Sequence, residues 1–107
     1  MDKIAIRYGE DLTLPINAGS TSYVTAEIYI GKPGEVYTLT KSSALTDGEG
    51  VFNFTGAETS IPLGVYNYQI NLITSDNKVV KLPSPDCDDC GFPEFVVCES
   101  LDETEVS

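Results

Sequence analysis

With 107 residues, the chain has the length of one ordinary globular domain. No apolar run approaches the roughly 18 residues that a membrane-spanning helix needs, so we expect no membrane partner. Seventeen acidic residues against six basic ones give a net charge of −11, which argues against nucleic-acid binding, because phosphate contacts need clustered Lys and Arg. The chain contains no histidine and therefore lacks the usual catalytic base and the commonest metal ligand.

The first half of the chain predicts five short strands, taken here in order. Residues 3–8 alternate between polar and apolar and predict a first strand at a sheet edge, where charged side chains are common. In the second strand, Pro15 cannot donate a ladder hydrogen bond, so we expect it at an edge or a bulge. The inward residues of these strands are predicted to be Leu12, Leu14 and Ile16; Val24, Ala26, Ile28 and Ile30; and Phe52 and Phe54. The predicted ranges are 3–8, 12–17, 23–30, 35–40 and 51–54, with a single helical turn possible within 56–60.

The stretch 62–74 is the strongest strand signal in the chain. Pro62 and Gly64 predict a turn that leads into a strand with alternating faces. The dry face carries Tyr66, Tyr68, Ile70 and Leu72, and the wet face carries Val65, Asn67, Gln69 and Asn71. A polar turn at 75–77 then predicts a hairpin with residues 78–82, and residues 92–98 predict a last strand.

Seven or eight short strands at about ten-residue spacing predict an all-β fold, a single immunoglobulin-like antiparallel β-sandwich. We assign residues 1–98 to this domain and residues 99–107 to an acidic C-terminal tail. Residues 86–107 hold eight acids and no base, which gives −8, whereas residues 1–85 hold nine acids and six bases, which gives −3. The tail is either solvated or available to a basic partner surface. Residues 1–4 lack the features of a signal peptide, so we expect no export by that route.

Three cysteines are the main candidates for site chemistry. Cys87 and Cys90 form a CxxC pair, and Cys98 follows in the last strand. A closed zinc site needs four ligands, and a redox CxxC normally opens a helix, which is not predicted here. Reduced thiols, one structural disulfide, or a metal shared between subunits remain open. The acidic loops at 47–50 and 86–89 lack EF-hand spacing, so they do not predict calcium binding. We therefore predict no catalytic, cofactor-binding or metal-binding residue and no cofactor.

Residues 54–70 resemble a segment of the small immunoglobulin-like domains of tailed-bacteriophage virion proteins. The shared pattern is a Thr-containing turn, then Pro-x-Gly-x-Tyr-x-Tyr at 62–68, a strand, a polar turn, and a basic-apolar return strand at 76–81. The opening strands at 9–16 are also similar. The related proteins include capsid decoration or auxiliary subunits and the N-terminal domains of baseplate upper proteins. The cysteine-bearing loop and the acidic end depart from the pattern.

This resemblance implies a non-enzymatic virion protein, present in many copies as a capsid auxiliary subunit or a tail accessory subunit. Its partners would be other virion proteins, in the capsid or the tail, or further copies of itself, and it would be made in the host cytoplasm. The alternative is a carbohydrate- or cell-surface-binding module, because Tyr23, Tyr29 and Tyr37 are predicted to face solvent and could stack on sugars. A metal-dependent enzyme is a third alternative with less support.

Overall fold

The computed structural model describes residues 3–32, 34–82 and 92–100. These residues form eight strands, which are packed as an immunoglobulin-like all-β sandwich. The strands are β1 (Ile4–Arg7), β2 (Leu12–Asn17), β3 (Tyr23–Gly31), β4 (Leu39–Ala44), β5 (Glu49–Phe54), β6 (Gly64–Thr74), β7 (Val79–Leu82) and β8 (Glu94–Cys98). No helix in the described part of the chain is long and apolar enough to cross a membrane.

The larger sheet has the strand order β1-β8-β6-β3-β4, and β7 pairs with β6 beyond the end of β8. The smaller sheet consists of β2 and β5. Most pairs are antiparallel, as predicted, but β1 and β8 are parallel, with Ile4 opposite Phe95. The first and last described strands of the domain therefore lie side by side at one edge and run in the same direction. This brings the beginning of the chain next to the start of the acidic end.

The core lies between the two sheets and is built around β6. The predicted dry face of β6 is confirmed, because all four of its side chains are buried. They pack with inward residues of the other strands, including Ile28, Ile30, Phe52, Phe54 and Phe95. Fully burying side chains of this size contributes about 1.5–3 kcal/mol each, so these residues account for most of the apolar stabilisation.

The entry into β6 explains why the sequence has Pro-x-Gly-x-Tyr at this point. Gly64 has φ +144°, a backbone conformation that L side chains rarely adopt. The phenolic hydroxyl of Tyr66 donates a hydrogen bond of 2.6 Å to the carbonyl oxygen of Pro62, four residues upstream. Such a bond between a strand tyrosine and the preceding backbone resembles the tyrosine corner of immunoglobulin-like domains. It lets a buried hydroxyl keep a partner while its ring fills the core.

Three strand predictions need correction. The predicted strand at 35–40 begins only at Leu39 and continues to Ala44, because residues 34–38 form a turn closed by a hydrogen bond from Thr38 N to Ile30 O. Strand β5 begins at Glu49, two residues earlier than predicted. Near the start of β3 a register shift between Tyr23 and Thr25 exchanges the faces, so Val24 is exposed and Tyr23 packs against the core.

Other predictions are confirmed. Strand β1 lies at the edge of the larger sheet, and Pro15 lies in β2, which pairs on one side only, with β5. The hairpin of β6 and β7 forms with Asn77 in the left-handed region, at φ +66°. Residues 56–59 make one turn, with a hydrogen bond from Thr59 N to Thr55 O, and do not extend into a helix.

Candidate functional site

The candidate site is a groove on the outer face of the larger sheet, at the end of β3. It has a volume of about 280 Å³. We call it the tyrosine groove and define it by Tyr29, Tyr37, Asn67, Gln69 and Phe92. Gly31, Lys32, Gly34 and Glu35 complete its wall.

Cross-strand register places the polar side chains of the groove. Tyr29 lies opposite Gln69, and Gly31 lies opposite Asn67, in the antiparallel pairing of β3 with β6. All of these residues lie on the outer face of the sheet, because the residues that alternate with them along the same strands are buried in the core. The wet face that the sequence predicts for β6 is therefore the floor of the groove.

The aromatic wall depends on the turn that replaces the predicted strand at 35–40. A Cβ atom at Gly31 would lie 3.2 Å from the Cα of Tyr37, so glycine lets the returning backbone approach closely. The rings of Tyr29 and Tyr37 then lie with centroids 4.8 Å apart and an interplanar angle of 44°. This separation is within the range of favourable aromatic pairs. Even so, Tyr37 remains 61% exposed.

Hydrogen bonds orient the side chains of the groove. The Tyr29 hydroxyl donates to Oε1 of Glu27 at 2.9 Å, and this bond, followed by burial, raises the pKa of Tyr29 above its ordinary value of 10.0. Gln69 Nε2 donates to Oδ1 of Asn71 at 2.9 Å. Asn67 Nδ2 donates to the carbonyl oxygen of Phe92 at 3.1 Å, which ties the segment before β8 to the groove.

One residue of the predicted wet face does not face water freely. Asn71 is only 9% exposed, although its neighbours on that face are more open. Strands pair with β6 on both sides at this point, with Glu27 and Lys81 directly opposite Asn71. Side chains of neighbouring strands therefore cover the middle of the sheet, and the bond from Gln69 satisfies the buried amide oxygen.

Of the three tyrosines that the sequence singles out, the structure brings Tyr29 and Tyr37 together and separates Tyr23 from them. Tyr23 lies at the start of β3 and packs against the core. The amides of the groove were not predicted as site residues. Their position on the wet face of β6 was the one sequence feature that could have indicated them. The close approach of the Tyr37 backbone to Gly31 could not be derived from the sequence pattern.

The acidic residues with described partners have structural roles. Asp47 and Gly48 both have positive φ, at +54° and +78°, and form the tight turn between β4 and β5. Two consecutive positive φ values at Asp-Gly are typical of a type I′ hairpin turn. Asp11 Oδ1 accepts a hydrogen bond of 2.6 Å from the backbone N of Gly56.

Glu58 links the 55–59 turn to β4. Its Oε2 pairs with Nζ of Lys41, and its Oε1 accepts a hydrogen bond from Thr55 N. The bond from Lys41, followed by the one from the Thr55 backbone, lowers the pKa of Glu58 below its ordinary value of 4.5. The carboxylate at this position therefore holds two chain segments together.

Cys98 is the one cysteine within the described residues, where it is exposed and free at the end of β8. The sequence-based interpretations of Cys87 and Cys90, and of the acidic loop at 86–89, fall outside the described residues. Within 3–32, 34–82 and 92–100, no group of three or more Cys, Asp or Glu residues could hold a metal ion.

No protein family and no curated protein matches the chain. Among solved structures, the chain is similar to CopC from Methylosinus trichosporium OB3b, with a TM-score of 0.50. The match covers 92% of this chain and 86% of that chain at 13% sequence identity. At such low identity the likeness shows the fold alone, and it agrees with the all-β sandwich described above.

Proposed function

We propose that the chain is a non-enzymatic structural subunit of a tailed-bacteriophage virion, present in many copies. It would decorate the capsid as an auxiliary protein or join the tail as an accessory subunit. The main support for the proposal is the Pro-x-Gly-x-Tyr-x-Tyr motif, because the resemblance to virion proteins depends on it. This motif forms the turn, the hydrogen bond from Tyr66 to Pro62, and the first half of the central strand.

An apolar strip on the outer face supports an assembly role. Ala5, Val96 and Val65 lie side by side across β1, β8 and β6. Ala5 is exposed, Val96 is half-buried, and Val65 is 50% exposed. Small apolar side chains in adjacent strands give a flat surface that loses little conformational entropy when a partner covers it. We assign this strip to contact with a neighbouring virion protein.

The charge distribution supports a basic partner surface next to the strip. Strand β8 leads directly into the acidic end of the chain, and residues 86–107 carry −8. Arg7 at the end of β1 donates a hydrogen bond of 2.7 Å to the carbonyl oxygen of Glu99, which holds the first residue after β8 close to β1. Apolar contact through the strip would then provide the affinity for the partner. The acidic residues would orient the two proteins and make their binding depend on salt.

A particle-binding assay with a matched pair of variants tests the proposal. Purified chain is mixed with phage particles that lack it, and the bound fraction is measured after sedimentation. Val65→Asp should abolish or strongly weaken binding, because it places a charge in the strip. Val79→Asp is the control, since Val79 is 48% exposed and pairs with Ile73, eight residues further along β6. At about 3.4 Å per residue, it lies roughly 27 Å away.

Both substituted positions are about half exposed, so each variant is expected to fold, and thermal unfolding checks this. If the unmodified chain does not sediment with particles, or if both folded variants bind as the unmodified chain does, the assignment of the strip is wrong.

A further inference from the structure

We propose that the tyrosine groove is a binding subsite for one or two rings of a neutral saccharide. This inference goes beyond the structural role, because assembly through the Ala5–Val96–Val65 strip does not use the groove. A virion subunit with such a subsite would add weak, repeated contacts to a glycan-bearing surface.

The aromatic wall offers the apolar contact that a pyranose ring needs. Sugars present hydroxyl groups around their edge and patches of C–H bonds on their faces, and these faces pack on aromatic rings. Tyr37 is held 4.8 Å from Tyr29 but is left 61% exposed, so its free face is available to a ligand. Its position is fixed by the close backbone contact at Gly31 and by the bond that orients Tyr29. A preorganised ring loses little entropy on binding.

The amides supply acceptors for sugar hydroxyl groups. Gln69 and Asn67 each use the NH₂ group in a described hydrogen bond, to Asn71 and to Phe92 respectively. These bonds fix which way each amide points, and within the described residues no donor reaches Gln69 Oε1 or Asn67 Oδ1. A carbonyl oxygen has two lone pairs, so both side chains can accept from a ligand without breaking an existing bond.

Charge and size restrict the class of ligand. One cation and one anion, Lys32 and Glu35, line the groove, so its own charges balance. Aromatic platforms also stack nucleobases, but a chain of net charge −11 repels a phosphate backbone. The volume of about 280 Å³ is slightly below the roughly 300–1,000 Å³ of sites for drug-sized ligands. A small neutral polyol with an apolar face fits these limits.

Titration of the ¹⁵N-labelled full-length chain tests the inference by NMR. Three neutral trisaccharides serve as probes, namely cellotriose, chitotriose and maltotriose. At least one should shift the side-chain amide signals of Asn67 and Gln69 in a saturable way. Tyr37→Ala should weaken this binding by about tenfold or more, because it removes the exposed stacking face.

Two controls accompany that variant. Tyr37→Phe keeps the ring and should bind within about threefold of the unmodified chain. Val36→Ala changes the adjacent side chain, which is 91% exposed and does not line the groove, and should leave binding unchanged. The inference is overturned if none of the three trisaccharides shifts these signals, or if Tyr37→Ala binds as tightly as the unmodified chain. It is also overturned if hexathymidylate or an oligopeptide shifts the groove signals and the sugars do not.

Discussion

At the residue scale, tyrosines contribute to both the core and the tyrosine groove of this domain. Tyr66 and Tyr68 point into the core from β6, whereas Tyr29 and Tyr37 stand on the opposite face of the same sheet. The alternation of β6 predicted the inward pair, because period two decides the face of every residue in a regular strand. The outward pair depends on a turn at 34–38, which the sequence pattern did not distinguish from a strand.

Replacing Tyr68 by Ala should reduce the free energy of unfolding by about 3 kcal/mol, because it removes a large buried ring and leaves a cavity. Chemical denaturation measures the change. Tyr37→Ala, at an exposed position, is the control and should reduce stability by only about 1 kcal/mol or less, the size expected from losing the ring contact with Tyr29. Equal effects of the two substitutions would show that the faces of the larger sheet are assigned incorrectly.

Glu58 should make stability depend on pH below its ordinary pKa of 4.5. Its pKa is lowered in the folded state, mainly by the hydrogen bond from Lys41, so folding favours the ionised form. The contribution is therefore fully present above about pH 4.5 and is lost as pH falls through the lower, folded-state pKa. Glu58→Gln should flatten this part of the profile of unfolding midpoint against pH.

Glu49→Gln is the control for Glu58→Gln, since Glu49 is an exposed carboxylate at the start of β5. A profile for Glu58→Gln that coincides in shape with those of the control and the unmodified chain would contradict the link between Glu58 ionisation and stability.

At the scale of elements, tight turns determine where strands begin and end. The sequence predicted an acidic loop at 47–50, but the Asp47-Gly48 turn is so short that pairing resumes at Glu49. The Asp-Gly dipeptide is a recognised hairpin signal, and the prediction missed it by treating these residues as an acidic loop. The register shift at the start of β3 could not have been predicted, because a bulge depends on the pairing of two strands and not on one alone.

Gly48→Ala should destabilise the domain by about 2 kcal/mol or more. The position has φ +78°, and an added Cβ would lie 2.5 Å from the carbonyl oxygen of Ser20. Gly34→Ala is the matched control, because Gly34 has a similar φ of +82° with open space around it, so only the backbone strain of about 1 kcal/mol applies. Denaturation curves that show the same loss for both variants would contradict the close contact between the β4–β5 turn and Ser20.

At the scale of the whole molecule, the fold class followed from strand spacing and alternation, and the parallel pairing of β1 with β8 did not. That pairing joins two strands that are far apart in the sequence, and no local sequence pattern indicates such a long-range contact. It places the apolar strip and the start of the acidic end on the same side of the domain. The body carries −3 and residues 86–107 carry −8, so most of the net charge belongs to the C-terminal part of the sequence.

Quantitative mass spectrometry of purified, intact virions is the most direct test of the structural role. A structural subunit should be present at a fixed ratio to the major capsid or tail protein, unchanged across preparations and after further rounds of purification. The chain should also remain with the particle when low-affinity contaminants are removed. Its absence from particles of a phage whose genome encodes it, or a ratio that falls with each purification step, would contradict the proposal.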